Sequence, residues 1–338
     1  MIKESYLYKK LKNKMTQCRT CAHYCVIGDG KRGICGVREN RGGKLYSLVY
    51  GKAAACNIDP IEKKPLFHFL PGTKTLSIAT VGCNFSCQNC QNWSISQEPK
   101  ILKYIRGEDL APKEIVELAK KNRTPSISYT YTEPTVFLEY SMDTMKLAKK
   151  ENIKNVWVTN GFLSKETFDL IKPYLDAANV DLKGFSDDFY QTRCGGKLQP
   201  VLDSLKRMKK AGVWVEITTL AIPGLSDSGK MFEGIAKFIK KELGSETPWH
   251  ISRFSGMVSW KLQDLPDTPI ETLKKAYEIG KKAGLKYVYI ENVSGLDGQN
   301  TYCPKCGEKM IARVGYVVEC YYKKGKCAEC GEKLNIIE

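Results

Sequence analysis

The spacing of the cysteines constrains this chain more than any other feature. There are 14, and eleven fall into three tight groups. These are Cys18-x2-Cys21-x3-Cys25-x9-Cys35, then Cys83-x3-Cys87-x2-Cys90, then Cys303-x2-Cys306 with Cys327-x2-Cys330. Cys56, Cys194 and Cys320 stand alone. The opening stretch MIKESYLYKKLKNK has basic residues but no apolar core of an export signal, so a cytoplasmic setting is expected. Thiols stay reduced there, and clustered cysteines are expected to be metal ligands rather than disulfides.

In the third group each CxxC pair is followed by glycine, which lets the chain close a tight knuckle around a metal. Two knuckles make a four-thiolate tetrahedral site with no open position. The expectation is a structural zinc ribbon over residues 299–338, with rubredoxin-like iron as the alternative. Cys320, between the knuckles, is expected to be buried. In the first group, Gly28, Gly30 and Gly33 allow the chain to return to a metal at Cys35. His23 either replaces one sulfur or hydrogen-bonds behind it. Zinc, a second iron–sulfur cluster and unmetallated thiols all fit that spacing.

The middle group has only three cysteines and follows the strand-like run TLSIATV. Three thiolates on a [4Fe–4S] cube leave one iron without a protein ligand, and an open metal position is where chemistry occurs. The competing reading is a zinc loop.

Between the outer groups the pattern is regular. Strand-like apolar runs cover 75–81, 126–131, 155–159, 178–182, 213–220, 248–252 and 286–290. Amphipathic stretches cover 111–121, 136–150, 199–211 and 229–243, and a fifth opens at Thr268-Pro269-Ile270-Glu271 as a capping box and stops at Gly284. Alternating strands and helices predict parallel strands with right-handed crossovers. The fold class expected is α/β, a partial to near-complete (β/α) TIM-like barrel, with small cysteine-rich modules at both termini. The divisions are 1–65, 66–298 and 299–338. In such barrels the chemistry gathers at the C-terminal ends of the strands.

Composition excludes other classes. A hydrophobic fraction of 42% is too high for a disordered chain, and no apolar run approaches the length of a spanning helix. The formal charge of +16 raises nucleic-acid binding as an alternative. The lysines are dispersed in pairs such as Lys9-Lys10, Lys149-Lys150 and Lys323-Lys324, as on solvated helix faces, so nucleic acid is not the expected partner.

The motifs CRTCAHYC, GICGVREN, DPIEKKPLFHFLPG, GCNFSCQNCQNWSIS, SYTYTEPT, VTNGF, NVDLKGF, PWHISRF and NTYCPKCG occur in this order over nearly the whole chain. Together they resemble the radical S-adenosylmethionine superfamily, in the branch near pyruvate formate-lyase activating enzyme. Within that branch the chain is most similar to the radical enzymes of the AmmeMemoRadiSam system. The resemblance implies that Cys83, Cys87 and Cys90 hold a [4Fe–4S] cluster whose open iron takes the amino and carboxylate groups of S-adenosylmethionine. It implies reductive cleavage of that molecule and withdrawal of hydrogen from a substrate, as in glycyl-radical activases. A radical RNA-modifying enzyme is the alternative within the same chemistry, and a purely structural zinc protein is the alternative outside it.

The resemblance also implies roles for single residues. Thr132 and Glu133 stand where the superfamily has its Gly-Gly-Glu-Pro-type segment, which grips the methionine ammonium. Asn160 is implied to bond the methionine carboxylate or the ribose. Asp181 and Lys183 resemble the Asp-x-Lys of glycyl-radical activases, near the cofactor. His250, with Arg253 after it, is either a cofactor contact or a core histidine. Asn89 occupies a position that is usually aromatic; its backbone is expected to meet the adenine, with stacking from Phe85 or Trp93. Glu291 replaces an expected glycine and either touches adenine or substrate or points away. Cys194 is either a hydrogen donor or a small buried thiol. The implied partners are S-adenosylmethionine, a reductant such as flavodoxin or ferredoxin, and Memo-like and AMMECR-like proteins.

Overall fold

A computed structural model describes residues 1–338. Its centre is one eight-stranded sheet whose strands lie side by side in chain order. We number them β1 (Ala55–Pro60), β2 (Lys74–Ala79), β3 (Ser126–Tyr129), β4 (Lys154–Thr159), β5 (Ala177–Asp181), β6 (Trp214–Ala221), β7 (Trp249–Arg253) and β8 (Val288–Glu291). All neighbours from β2 to β8 pair in parallel, and β1 pairs antiparallel with β2. The outer strands β1 and β8 are not bonded to each other, so the barrel is partial. The seven parallel strands fall where the apolar runs predict them, to within one or two residues. The strand β1 was expected in the N-terminal module and instead extends the barrel sheet.

The crossover helices are α1 (Pro112–Lys121), α2 (Leu138–Lys150), α3 (Lys165–Ile171), α4 (Leu198–Lys210), α5 (Gly229–Phe238) and α6 (Ile270–Lys282). Parallel strands buried by helices need apolar side chains on both faces. One continuous core of 56 buried residues provides this. Helix α3 was not expected, because seven residues give little periodicity; its signal is Ser164, whose hydroxyl accepts from Thr167 N at 3.0 Å as an N-cap. The expected capping box at Thr268 is not formed. Pro269 is the N-cap of α6, and the Thr268 hydroxyl instead accepts from Phe254 N and donates to Ala221 O, tying α6 to the barrel rim.

The two cysteine-rich modules sit at different places on this frame. The N-terminal module contains two small three-stranded antiparallel sheets, pairs Lys52–Ala53 with Glu108–Asp109, and is anchored by Arg38, which is 2% exposed. Its guanidinium donates to both oxygens of Glu139 in α2 at 3.0 and 2.9 Å. The C-terminal module packs over the segment that enters the barrel. Leu70 N donates to Ile337 O at 2.7 Å, and the Arg313 guanidinium lies 4.2 Å from the Phe67 ring centre. Cys320, expected to be buried, is exposed on a strand of this module (Val317–Cys320). No helix is long and apolar enough to cross a membrane.

Candidate active site

The C-terminal ends of all seven parallel strands open on one cleft of about 1450 Å³. Cys83, Cys87, Asn89 and Cys90 reach it from the loop after β2, and Thr130, Tyr131, Thr132 and Glu133 from the end of β3. Thr159 and Asn160 follow from β4, Asp181 and Lys183 from β5, Thr218 and Leu220 from β6, Ser252 and Arg253 from β7, and Glu291 from β8. The volume exceeds the few hundred to one thousand Å³ that enclose one drug-sized ligand, which leaves room for a cofactor and a substrate together.

The three cysteines sit in a loop fixed from below. Gly82 precedes it at φ +101°, where an added Cβ would lie 2.6 Å from Val37 Cγ1, so only glycine lets this loop lie against the N-terminal module. Phe85 N donates to Cys83 Sγ at 3.4 Å, and Cys90 Sγ lies 3.3 Å from Ser96 Oγ. Burial pushes the Cys83 and Cys90 thiols up. A hydrogen bond to Cys194 and burial do the same for Cys87. Sulfurs so placed become thiolates only against a strong cation, as iron provides. No three of these ligand atoms lie within 4.8 Å of one another, wider than a single tetrahedral ion requires. The residues therefore fit a cluster rather than one ion, and all three cysteines line the cleft.

Glu133 is 1% exposed and burial raises its carboxyl. Its Oε1 accepts from Thr135 N at 3.1 Å, Thr135 Oγ1 at 2.5 Å and Thr159 Oγ1 at 2.8 Å, while Oε2 accepts only from Asn160 N at 2.8 Å. Oε2 thus keeps an acceptor position for a cation in the cleft. Tyr131, at φ 62°, turns the chain sharply at the strand end, and Thr132 Oγ1 donates to Thr80 O at 2.8 Å. Asn160 Nδ2 donates to Asn84 Oδ1 at 2.7 Å and stands 4.0 Å from Cys83 Sγ. Lys183 Nζ is 2.9 Å from Asp181 Oδ2. Burial opposes the Lys183 charge, but Asp181 and the sulfurs of Cys87 and Cys194 hold the ammonium well above its ordinary range. A fixed cation beside cluster sulfurs suits a site that gains negative charge on reduction.

Four of the candidate residues do not line the cleft. His250 is fully buried behind the cleft, with Nδ1 2.6 Å from Glu291 Oε1 and Nε2 2.8 Å from Glu216 Oε2. Burial alone would lower it, but the two carboxylates push it up to about 9. It is a positioning residue for Glu291, which does face the cleft. Phe85 is packed against Phe162 and Tyr190, and Trp93 stacks on Trp260 at 6.4 Å; neither lines the cleft. Cys194 is a buried thiol on the Cys87 side that does not line the cleft, and its backbone carbonyl accepts from Ser86 N at 2.8 Å.

The structure adds residues that the sequence reading passed over. Lys64 lines the cleft although it is 1% exposed, and its Nζ donates to Asp59 Oδ2 at 2.7 Å. Burial lowers Lys64 to about 8 against the pull of Asp59. Lys309 and Arg313 bring the C-terminal module to the cleft wall. Glu216 was visible as a lone carboxylate inside the apolar run VWVEITTLA. Lys64 and Arg313 had no such signal, since each stands in a lysine-rich or irregular stretch.

At the chain's other end, Cys303 Sγ lies 3.6 Å from Cys330 Sγ and Cys306 Sγ 3.6 Å from Cys327 Sγ. A Zn–S bond of about 2.3 Å gives a tetrahedral edge of about 3.8 Å, so these four sulfurs fit one tetrahedral ion.

Comparison with known proteins gives a consistent picture. Residues 77–239 match the family described as the Radical SAM superfamily. An uncharacterized protein of Methanocaldococcus jannaschii is 45% identical, over 99% of this chain and 100% of its own length. A second protein of that organism, whose name places it among glycyl-radical enzyme activating enzymes, is 30% identical over 65% of this chain and 79% of its own. The crystal structure of a radical SAM methyltransferase from Sphaerobacter thermophilus shares the fold, with a TM-score of 0.51 and 17% identity over 68% of this chain and 71% of that one.

Proposed function

Since the chain belongs to the radical SAM superfamily, we propose that it is an activase-like radical enzyme of the AmmeMemoRadiSam kind, acting on a substrate held in the cleft. Membership implies a [4Fe–4S] cluster and S-adenosylmethionine as cofactors, and Cys83, Cys87 and Cys90 are the residues that would hold the cluster. When bound, that cluster supplies the one electron that splits S-adenosylmethionine into methionine and a 5′-deoxyadenosyl radical, which takes a hydrogen atom from the substrate and leaves as 5′-deoxyadenosine. The observation that carries the reading is the convergence of a three-cysteine loop with Glu133, Asn160, Asp181 and Lys183 on one cleft.

The chain's own residues have distinct tasks in this reading. Glu133 Oε2 receives the methionine ammonium by a charge-assisted hydrogen bond. Thr132 and Asn160 bond the remaining polar groups of the methionine and ribose. Lys183 offsets negative charge at the Cys87 side, and Asp181 keeps that ammonium aimed there. Asn89 meets the adenine through its backbone. Glu291, braced by His250 and Glu216, together with Lys64 from the opposite wall, orients the substrate. Zinc in the Cys303, Cys306, Cys327 and Cys330 site keeps Lys309 and Arg313 at the rim. A one-electron donor such as flavodoxin or ferredoxin supplies the reductant, and Memo-like and AMMECR-like proteins are candidate partners.

The test uses the full chain, reconstituted anaerobically with iron and sulfide and reduced with dithionite. The expected products from S-adenosylmethionine are 5′-deoxyadenosine and methionine. Iron-loaded protein that leaves S-adenosylmethionine intact overturns the proposal.

A further inference from the structure

The N-terminal module contains a second cavity, distinct from the cleft, lined by Cys18, Cys21, Cys25 and Cys35. We propose that this cavity is the site of a second [4Fe–4S] cluster held by those four cysteines. The inference stands on this module's geometry and does not depend on the chemistry proposed for the cleft.

The two four-cysteine sets of this chain provide the internal standard. In the C-terminal set all four sulfurs lie within 4.8 Å of one another, and two of the contacts are 3.6 Å. That is the spacing of a single tetrahedral ion, whose edge is about 3.8 Å with zinc. In the N-terminal set no three ligand atoms of Cys18, Cys21, Cys25, Cys35 and His23 come within 4.8 Å of one another. The four cysteines line one cavity with room for a water-sized body between its walls. Four thiolates closed on one ion leave no such space between them, whereas a cube of four irons and four sulfides fills it and reaches sulfurs standing farther apart. Cys83, Cys87 and Cys90 likewise do not all come within 4.8 Å of one another.

The wall suits the same occupant. Ile27, Ile34 and Val136 make it apolar, and Arg38 is the one cation among its lining residues. Both Arg38 terminal nitrogens bond Glu139, yet its Nε is buried without a hydrogen-bond partner. An N–H donor beside cluster sulfurs is one of the means by which a protein stabilises the charge of an iron–sulfur centre. His23 Nε2–H donates to Asn84 O at 2.9 Å, which ties the cavity wall to the residue after Cys83. The cavity also adjoins the cleft segment in sequence, since its lining residues Thr135 and Val136 stand two and three positions after Glu133. A cluster here stands behind the S-adenosylmethionine-gripping turn, one hydrogen bond from the three-cysteine loop.

The experiment uses the full-length triple variant C83A/C87A/C90A, reconstituted anaerobically with ferrous iron and sulfide in the presence of zinc. Iron, zinc and inorganic sulfide are counted per chain, and Mössbauer spectra are recorded. The expected result is about four irons and about four sulfides per chain with the spectrum of a cube, plus about one zinc. About two zincs and no sulfide, or no metal beyond the C-terminal ion, overturns the proposal. Should the triple variant fail to fold, the wild type decides: about eight irons with about one zinc supports the proposal, and about four irons with about two zincs overturns it. None of these counts depends on whether the protein cleaves S-adenosylmethionine.

Discussion

Four cysteines stand at each end of this chain, and the chain holds them in contrasting ways. The C-terminal four come in two CxxC-Gly knuckles that face each other, so the short sulfur contacts run from one knuckle to the other, Cys303 to Cys330 and Cys306 to Cys327. The N-terminal four are gathered from separate segments. Cys18 ends a strand, Cys21 bridges to Leu163 of the barrel, and Cys35 lies against Gly82 of the cluster loop. Ligand number therefore does not set the occupant. How far apart the backbone fixes the sulfurs, and what fills the space between them, does. The C-terminal site is a staple for a peripheral module, whereas the N-terminal site is built into the wall of the barrel.

The sharpest way to break that contrast is to remove each set. Replacing Cys303 and Cys327 with serine takes away two ligands of the proposed C-terminal ion, and such an ion contributes on the order of 10 kcal/mol of folding free energy to a module of this kind. The expected outcome is loss of zinc and rapid proteolysis confined to 299–338, with iron content unchanged; a parallel loss of iron would show the two ends to be one unit. The next effect is at the N-terminal anchor. Arg38→Met strands Glu139 as an uncompensated buried charge, so denaturant unfolding should show a loss of about 3–5 kcal/mol. A value below about 1 kcal/mol would mean that the module is only loosely seated. Smaller again is Gly82→Ala. The new Cβ meets Val37 at a φ that L-residues avoid, and a loss of about 1–3 kcal/mol is expected in thermal melts.

The last expectation concerns pH. The folded pKa of His250 is pushed from 6.5 to about 9 by Glu291 and Glu216, in spite of its burial. Its contribution is therefore complete below about pH 6.5 and is lost as pH rises through about 9. Glu216, held down at about 2 against burial chiefly by His250, contributes above its ordinary 4.5 and loses that contribution only as pH falls through about 2. Wild-type stability should thus decline between pH 7 and 10, and the His250→Gln protein, less stable throughout, should show a flatter decline. Equal slopes for the two proteins would remove His250 from the account.

Much of this was legible in the residues. The barrel strands are apolar runs of strand length, and their ends carry TEP, TN, DLK and HISR where a parallel barrel gathers its chemistry. What escaped the sequence was set by tertiary packing. Strand β1 reads as part of a cysteine-rich segment, and only its pairing with β2 makes it a barrel strand. Phe85 and Trp93 are both aromatic and both near Cys87, yet one is consumed by the core and the other by a surface stack with Trp260. His250 has the polarity of a cleft residue and the neighbours of a core one. The separation of sulfurs, on which the two four-cysteine sites differ, is not written in a spacing such as x2 or x9.

The central claim is that S-adenosylmethionine binds at the open corner of a cluster held by Cys83, Cys87 and Cys90, with its ammonium on Glu133. Electron paramagnetic resonance of the reduced full-length protein, with and without S-adenosylmethionine, tests this directly. The account predicts that the cofactor changes the cluster spectrum in the wild type, changes it only at much higher concentration in Glu133→Gln, and has nothing to change in the C83A/C87A/C90A protein beyond a signal indifferent to the cofactor. A wild-type spectrum identical with and without S-adenosylmethionine would contradict it.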